Sequence, residues 1–231
     1  MKKSIVVMIA TLLLTSVLLA ACGSTPLTAD QVLQKMAENG KNLKTGHTQM
    51  DINMTAAEQT VTMNAVGVFE NPDKSYLNLT LLGSSVQMLV LSPTEVYQRA
   101  SESEAWVQSD ASGSDQAGSV YDFTKNPEQL LKYYHNATLL TEEQVDGVDC
   151  YHVSFELDVM EMMKAAGISE TTLAGIVFTG PAQVESWIGK SDFFTRKLNE
   201  KFVMTTEGQE VSMDVLVSLT EINQPVEIPT P

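Results

Sequence analysis

Cysteine, histidine, serine and carboxylate side chains are where chemistry would start, and this 231-residue chain sets them in no catalytic pattern. No G-x-S-x-G occurs, and no lysine has a serine three positions earlier, so neither the nucleophile elbow nor a serine–lysine pair is present. His47, His135 and His152 lack the short spacing that brings two ligands to one metal ion, and each reads as a surface or hydrogen-bonded side chain. Asp110-Ala111-Ser112-Gly113-Ser114-Asp115 hints at a calcium loop. It fails because its glycine comes at the fourth position and Tyr121 stands where the closing glutamate belongs. Glu142, Glu143, Asp146 and Asp149 gather around a turn and read as a solvated edge. The expectation is a protein without catalysis, cofactor or metal.

Two thiols remain. Cys150 lies in Val148-Asp149-Cys150-Tyr151-His152-Val153, a strand pattern, where a small buried hydrophobe is the expected role and a reactive thiol the alternative. Cys22 closes a different kind of run. Lys2 and Lys3 form a positive start, Ile5 to Leu19 is apolar apart from Thr11, Thr15 and Ser16, and Leu19-Ala20-Ala21 leads into Cys22. That is the layout of a secretory signal. Ending on a cysteine, it resembles the lipobox of bacterial lipoproteins; the alternative is an ordinary signal or anchor with a chance cysteine. The resemblance implies cleavage between Ala21 and Cys22 and a diacylglycerol on the Cys22 thiol. Two or more acyl chains hold a protein stably on a bilayer, at about 0.8 kcal/mol per buried methylene. No later run reaches the ~18 apolar residues of a second membrane helix. The expected location is therefore the extracytoplasmic face of a cell membrane, held by lipid.

Composition narrows the partners. The formal net charge is −15, and loss of Lys2 and Lys3 with the signal makes the remainder more acidic still. Nucleic acid is disfavoured as a partner and none is expected, since phosphate contacts need a basic surface. Anionic headgroups repel such a body, which leaves the anchor to do the holding. With Cys22 acylated, Cys150 has no partner for an intramolecular disulfide.

Residues 1–21 are thus expected to be signal, 22–26 a lipidated tether, 27–222 one domain and 223–231 a flexible tail. Thr28-Ala29-Asp30-Gln31 reads as a capping box, and Leu27, Val32, Leu33 and Met36 make a helical apolar stripe that Gly40 ends. From about Thr45 the period becomes two. Met50, Ile52 and Met54 share one face, and Val61, Met63 and Ala65 alternate with Thr62 and Asn64. Asn71-Pro72-Asp73 is a turn, with strands near Ser75–Leu82 and Ser85–Leu91. Val86–Leu91 is apolar on both faces, so something must cover each side. Short strands follow near Glu95–Arg99 and Ala105–Gln108, then a polar loop over Ser109–Gly118. A helix after Pro127 is expected to carry Leu130, Leu131, Tyr133 and Tyr134. Asp146-Gly147 marks a hairpin into Val148–Leu157, and Val159–Gly167 reads as a short helix. Strands at Gln183–Gly189, Lys197–Thr206 and Glu210–Ile222 complete a meander, with Glu207-Gly208 as a tight turn. About ten strands with inserted helices make an α+β domain, and that many antiparallel strands must curl. The expectation is a strongly curved antiparallel sheet, an unclosed half-barrel with helices over its concave face.

The lipobox, the opening helix Ala29–Leu43, the long strands from His47 to Leu91, the Asp146-Gly147 hairpin and Glu185-Ser186-Trp187-Ile188-Gly189-Lys190 stand in an order that resembles the LolA-like lipoprotein carriers, including the LppX and LprG type. The resemblance covers roughly residues 30–222. It implies an unclosed barrel whose internal cavity holds acyl chains; some relatives, of the RseB type, serve as sensors instead. Ten of the chain's 12 methionines follow Cys22, and methionine adapts to varied apolar partners. They form either a methionine-rich packed core or the lining of a ligand site. The candidate lining is Met50, Ile52, Met54, Met63, Met88, Met160, Met163, Trp187, Phe202, Met204 and Met213, although Trp106 and Trp187 taken alone read as packing residues. The leading expectation is a non-catalytic, membrane-anchored binder or carrier of a lipid or other amphiphile. The alternative is a surface sensory or protein-binding module with a filled core.

Overall fold

In the computed structural model, the Thr28 hydroxyl accepts the Gln31 N–H at 3.3 Å while the Gln31 side chain accepts the Thr28 N–H at 2.9 Å. Two of the N–H groups orphaned at a helix start are thereby satisfied. Helix α1 (Ala29–Gly40) follows, and its stripe of Ala29, Val32, Leu33, Met36 and Ala37 is buried. The structure describes residues 26–92, 94–109, 130–165, 169 and 173–231. The expected signal, Cys22 with most of its tether, the calcium-like segment, the start of the helix after Pro127 and the end of the one before Gly167 lie outside them.

The strands are β1 (Thr45–Ala56), β2 (Gln59–Glu70), β3 (Lys74–Leu81), β4 (Ser84–Ser92), β5 (Glu95–Arg99), β6 (Val107–Ser109), β7 (Tyr134–Leu139), β8 (Glu143–Val145), β9 (Val148–Leu157), β10 (Ile176–Phe178), β11 (Ala182–Gly189), β12 (Thr195–Thr206) and β13 (Gln209–Thr220). A second helix, α2 (Val159–Ala165), follows β9. Among the described residues thirteen strands belong to one sheet, against the ten or so expected. Its order is β6-β5-β4-β3-β2-β1-β13-β12-β11-β9-β7, with β10 added to β12 and β8 to β9. Every ladder is antiparallel, and the sheet is an open, curved half-barrel whose two edges do not meet. Asp146-Gly147 and Glu207-Gly208 take φ of 49° and 79°, and of 53° and 77°. Positive φ at both central residues is what a two-residue hairpin matched to strand twist requires.

One element differs from expectation. Tyr134 opens β7 instead of continuing a helix: its backbone pairs with Leu157, its ring meets Phe155 edge-on, and its hydroxyl donates to Asp30 at 2.8 Å. Tertiary pairing overrides the helical spacing of Leu130, Leu131 and Tyr134. Just beyond β13, Asn223 and Gln224 are tied to residues 42–45. Asn223 accepts the Lys44 N–H at 2.7 Å and donates to the Asn42 carbonyl at 3.1 Å, and Thr45 donates to the Gln224 carbonyl at 2.6 Å.

Helix α1 packs on the concave face of β9 and β11, where Val32, Leu33 and Met36 meet Val153, Phe155, Val184 and Ile188. A second apolar cluster of Met50, Ile52, Ala65 and Val215 occupies the same face at β1, β2 and β13. At the other end of the sheet β4 is covered on its convex face: Leu89 is fully buried there, beside Tyr76, whose ring meets Trp106 edge-on. That accounts for the two-sided apolar pattern of this strand.

Candidate functional site

Residues directly opposite one another in a ladder share a face, so register alone maps the concave wall. One row runs Leu81, Met63, Ile52, Val215, Glu200, Val184, Phe155 across seven strands. Neighbouring rows add Met54, Met213 and Phe202, then Met50, Val217 and Leu198. Of the expected lining, the structure brings Met50, Ile52, Met54, Met63, Phe202 and Met213 into one apolar group around the second cluster. Phe202 belongs to both clusters and joins them, with its ring 5.6 Å from that of Phe178. Met88 and Met204 lie on the same face by register, opposite Leu77 and Val211. Met163 packs beside the first cluster from α2, whereas Met160 is half-buried and in neither.

Trp187 is placed elsewhere. It alternates with the inward Val184 and Ser186 and so lies on the convex face, stacked on His152 with centroids 4.2 Å apart, beneath the Lys197 ammonium. Its indole N–H donates to Glu143 at 3.0 Å, and His152 Nε2 lies 2.9 Å from Glu185. This stack buries the histidine between carboxylates. Cys150, also on that side, is fully buried, and burial pushes its thiol pKa up, making it a packing residue. A depression of about 640 Å³ on the convex face is lined by polar groups such as Asn53, Lys201, Ser212 and Asp214.

The residue that sequence reasoning missed is Glu200. It faces the concave side between Val184 and Val215, with Leu198 and Phe202 two positions away on its own strand. Only 8% of it is exposed, and no hydrogen bond or ion pair reaches its carboxyl among the described residues. Burial alone lifts its pKa from 4.5 to about 7. Diagonally across on β11, the buried Ser186 hydroxyl also lacks a partner. The alternation Leu198, Glu200, Phe202, Met204 was the available signal. The wall is therefore apolar, rich in methionine, and interrupted by one unpartnered carboxyl and one unpartnered hydroxyl.

The half-barrel with a helix against its concave face is a fold also seen in solved lipoproteins. The lipoprotein LppX of Mycobacterium tuberculosis has this fold: it superposes with a TM-score of 0.58 at 12% identity, over 87% of this chain and 98% of LppX. LprF of Mycobacterium bovis superposes with a TM-score of 0.52 at 14% identity, over 88% of this chain and 96% of LprF. At such identities the likeness is one of fold. The sequence matches no family profile and no curated protein.

Proposed function

We propose that the protein is a membrane-anchored, extracytoplasmic lipoprotein that binds or carries a lipid or other amphiphile against its concave face, without catalysis. The observation that carries this reading is the wall itself. Met54, Met63, Phe202 and Met213 surround the second cluster only partly buried, on the side of the sheet away from solvent-facing Asn53, Asn64 and Asp214. Flexible, polarizable thioethers suit acyl chains of varied shape. An acyl chain of ~16 carbons would gain about 13 kcal/mol of gross burial there, before entropy and desolvation. The fold is that of a protein described as a lipoprotein, and Cys22 in its lipobox would supply the diacylglycerol anchor.

The second reading, a sensory or protein-binding module with a filled core, draws on the packing of Met50, Ile52, Ala65 and Val215, all buried against one another. Native mass spectrometry of the exported chain carrying Cys22→Ser separates the two. Retained lipid, released on unfolding and identified by extraction, is expected. A protein of bare mass that takes up no lipid from vesicles refutes the carrier reading. Labelling with radioactive palmitate tests the anchor: label on the unaltered chain and none on Cys22→Ser are the expected results.

A further inference from the structure

An ionisable side chain is seldom buried without a partner, because desolvating a carboxylate costs several kcal/mol. Glu200 is such a case, and the groups around it make the exception informative. Facing it from β11 are Val184 and Ser186, from β13 Met213, Val215 and Val217, and along β12 Leu198 and Phe202. Helices α1 and α2 contribute Val32, Leu33, Met36, Met162 and Met163 to the adjoining cluster. None of these is charged. The three basic residues of β12 are engaged elsewhere: Arg196 with Asp192, Lys197 over Trp187, and Lys201 with Asp214. Strands β11 and β13 have no basic residue. Among the described residues, nothing neutralises this carboxylate.

We propose that Glu200, with the Ser186 hydroxyl beside it, is the polar anchor of the concave wall, and that it takes the ammonium group of a cationic amphiphile whose chain lies along the methionine-rich rows. This rests on the amphiphile-binding reading and narrows it to a charge class. A fatty-acid or phosphate head would meet a like charge, with no basic side chain among the described residues that face Glu200. An alcohol or ester would make one neutral hydrogen bond. An ammonium group makes a charge-assisted bond and offsets the desolvation of the carboxylate. The chain's net charge of −15 also draws cations toward it.

The test is competition against a fluorescent acyl probe, using the chain with Cys22→Ser, at pH 8 and pH 5.5, with dodecylamine, dodecanol and dodecanoate below their aggregation limits. The amine stays cationic at both pH values. At pH 8 dodecylamine is expected to bind at least about tenfold more tightly than dodecanol, with dodecanoate weakest. The preference should shrink about tenfold at pH 5.5, where Glu200 is protonated, and should disappear in Glu200→Gln. The pH comparison uses the unaltered site, so it holds even if the variant folds poorly. Equal binding of amine and alcohol at pH 8, or a preference that survives Glu200→Gln, overturns the proposal while leaving amphiphile binding standing. No binding of any of the three compounds or the probe overturns both.

Discussion

The burial of Glu200 makes stability depend on pH in a direction opposite to that of most carboxylates. Its pKa is 4.5 in an ordinary setting and about 7 in the folded chain. Between those values the folded state holds a proton that the unfolded state has lost, so folding stability falls as pH rises through this window. Below 4.5 the penalty is absent. Above 7 it is complete, at about 3 kcal/mol by the standard conversion. The sequence pI of about 4.5 makes solubility poor at the lower end, so the useful range is pH 5.5 to 8.5, which still contains about 2 kcal/mol of the effect. Glu200→Gln keeps the shape and cannot ionise. Urea denaturation of both chains in the Cys22→Ser background, followed by tryptophan fluorescence, would give the difference at each pH, with titrations common to both cancelling. The unaltered chain should lose about 2 kcal/mol relative to Glu200→Gln across that range, or roughly 4–8 °C in Tm for a domain of this size. Parallel pH profiles for the two chains would refute the argument that the carboxyl is desolvated and unpaired.

Two further expectations concern the framework. Leu33 is fully buried between α1 and the sheet, so Leu33→Ala should cost about 2–5 kcal/mol in urea denaturation; a loss under 1 kcal/mol would show that α1 is not docked as described. Cys150 is fully buried with its pKa raised by burial, so in Cys22→Ser it should react with Ellman's reagent at least about a hundredfold more slowly in the folded chain than in urea. Comparable rates would place the thiol at the surface.

Local signals in the sequence were legible because each is closed by neighbours in the chain. Thr28 and Gln31 satisfy one another, Asp146-Gly147 and Glu207-Gly208 carry the glycine that a turn with positive φ needs, and Met50, Ile52 and Met54 share a face because β1 pairs with both neighbours without a bulge. Long-range pairing was not legible. Nothing near Tyr134 announces that its partner is Leu157, and without that ladder its spacing reads as helix. Trp187 shows a different failure: Gln183, Glu185 and Trp187 alternate with Ala182, Val184 and Ser186, so the pattern already placed the indole with polar residues, and its size misled. Glu200 was hidden because one acidic residue in a strand reads as solvent-facing until the faces of Leu198 and Phe202 are known.

The strand order has a consequence for how the chain can assemble. Strands β1 to β6 form one wing and β7 to β13 the other, and among the described residues the wings meet through the ladder between β1 and β13. The bonds that finish this seam, such as Lys44 to Asn223, join residues 179 positions apart. Closing so long a loop is entropically costly and slow compared with zipping the hairpins on either side. A chain threaded through a narrow passage from its amino end would have one wing of hairpins ready while the strand that joins it to the other was still inside. Completion would wait for the last strand to emerge, which keeps the chain loose for as long as it must travel.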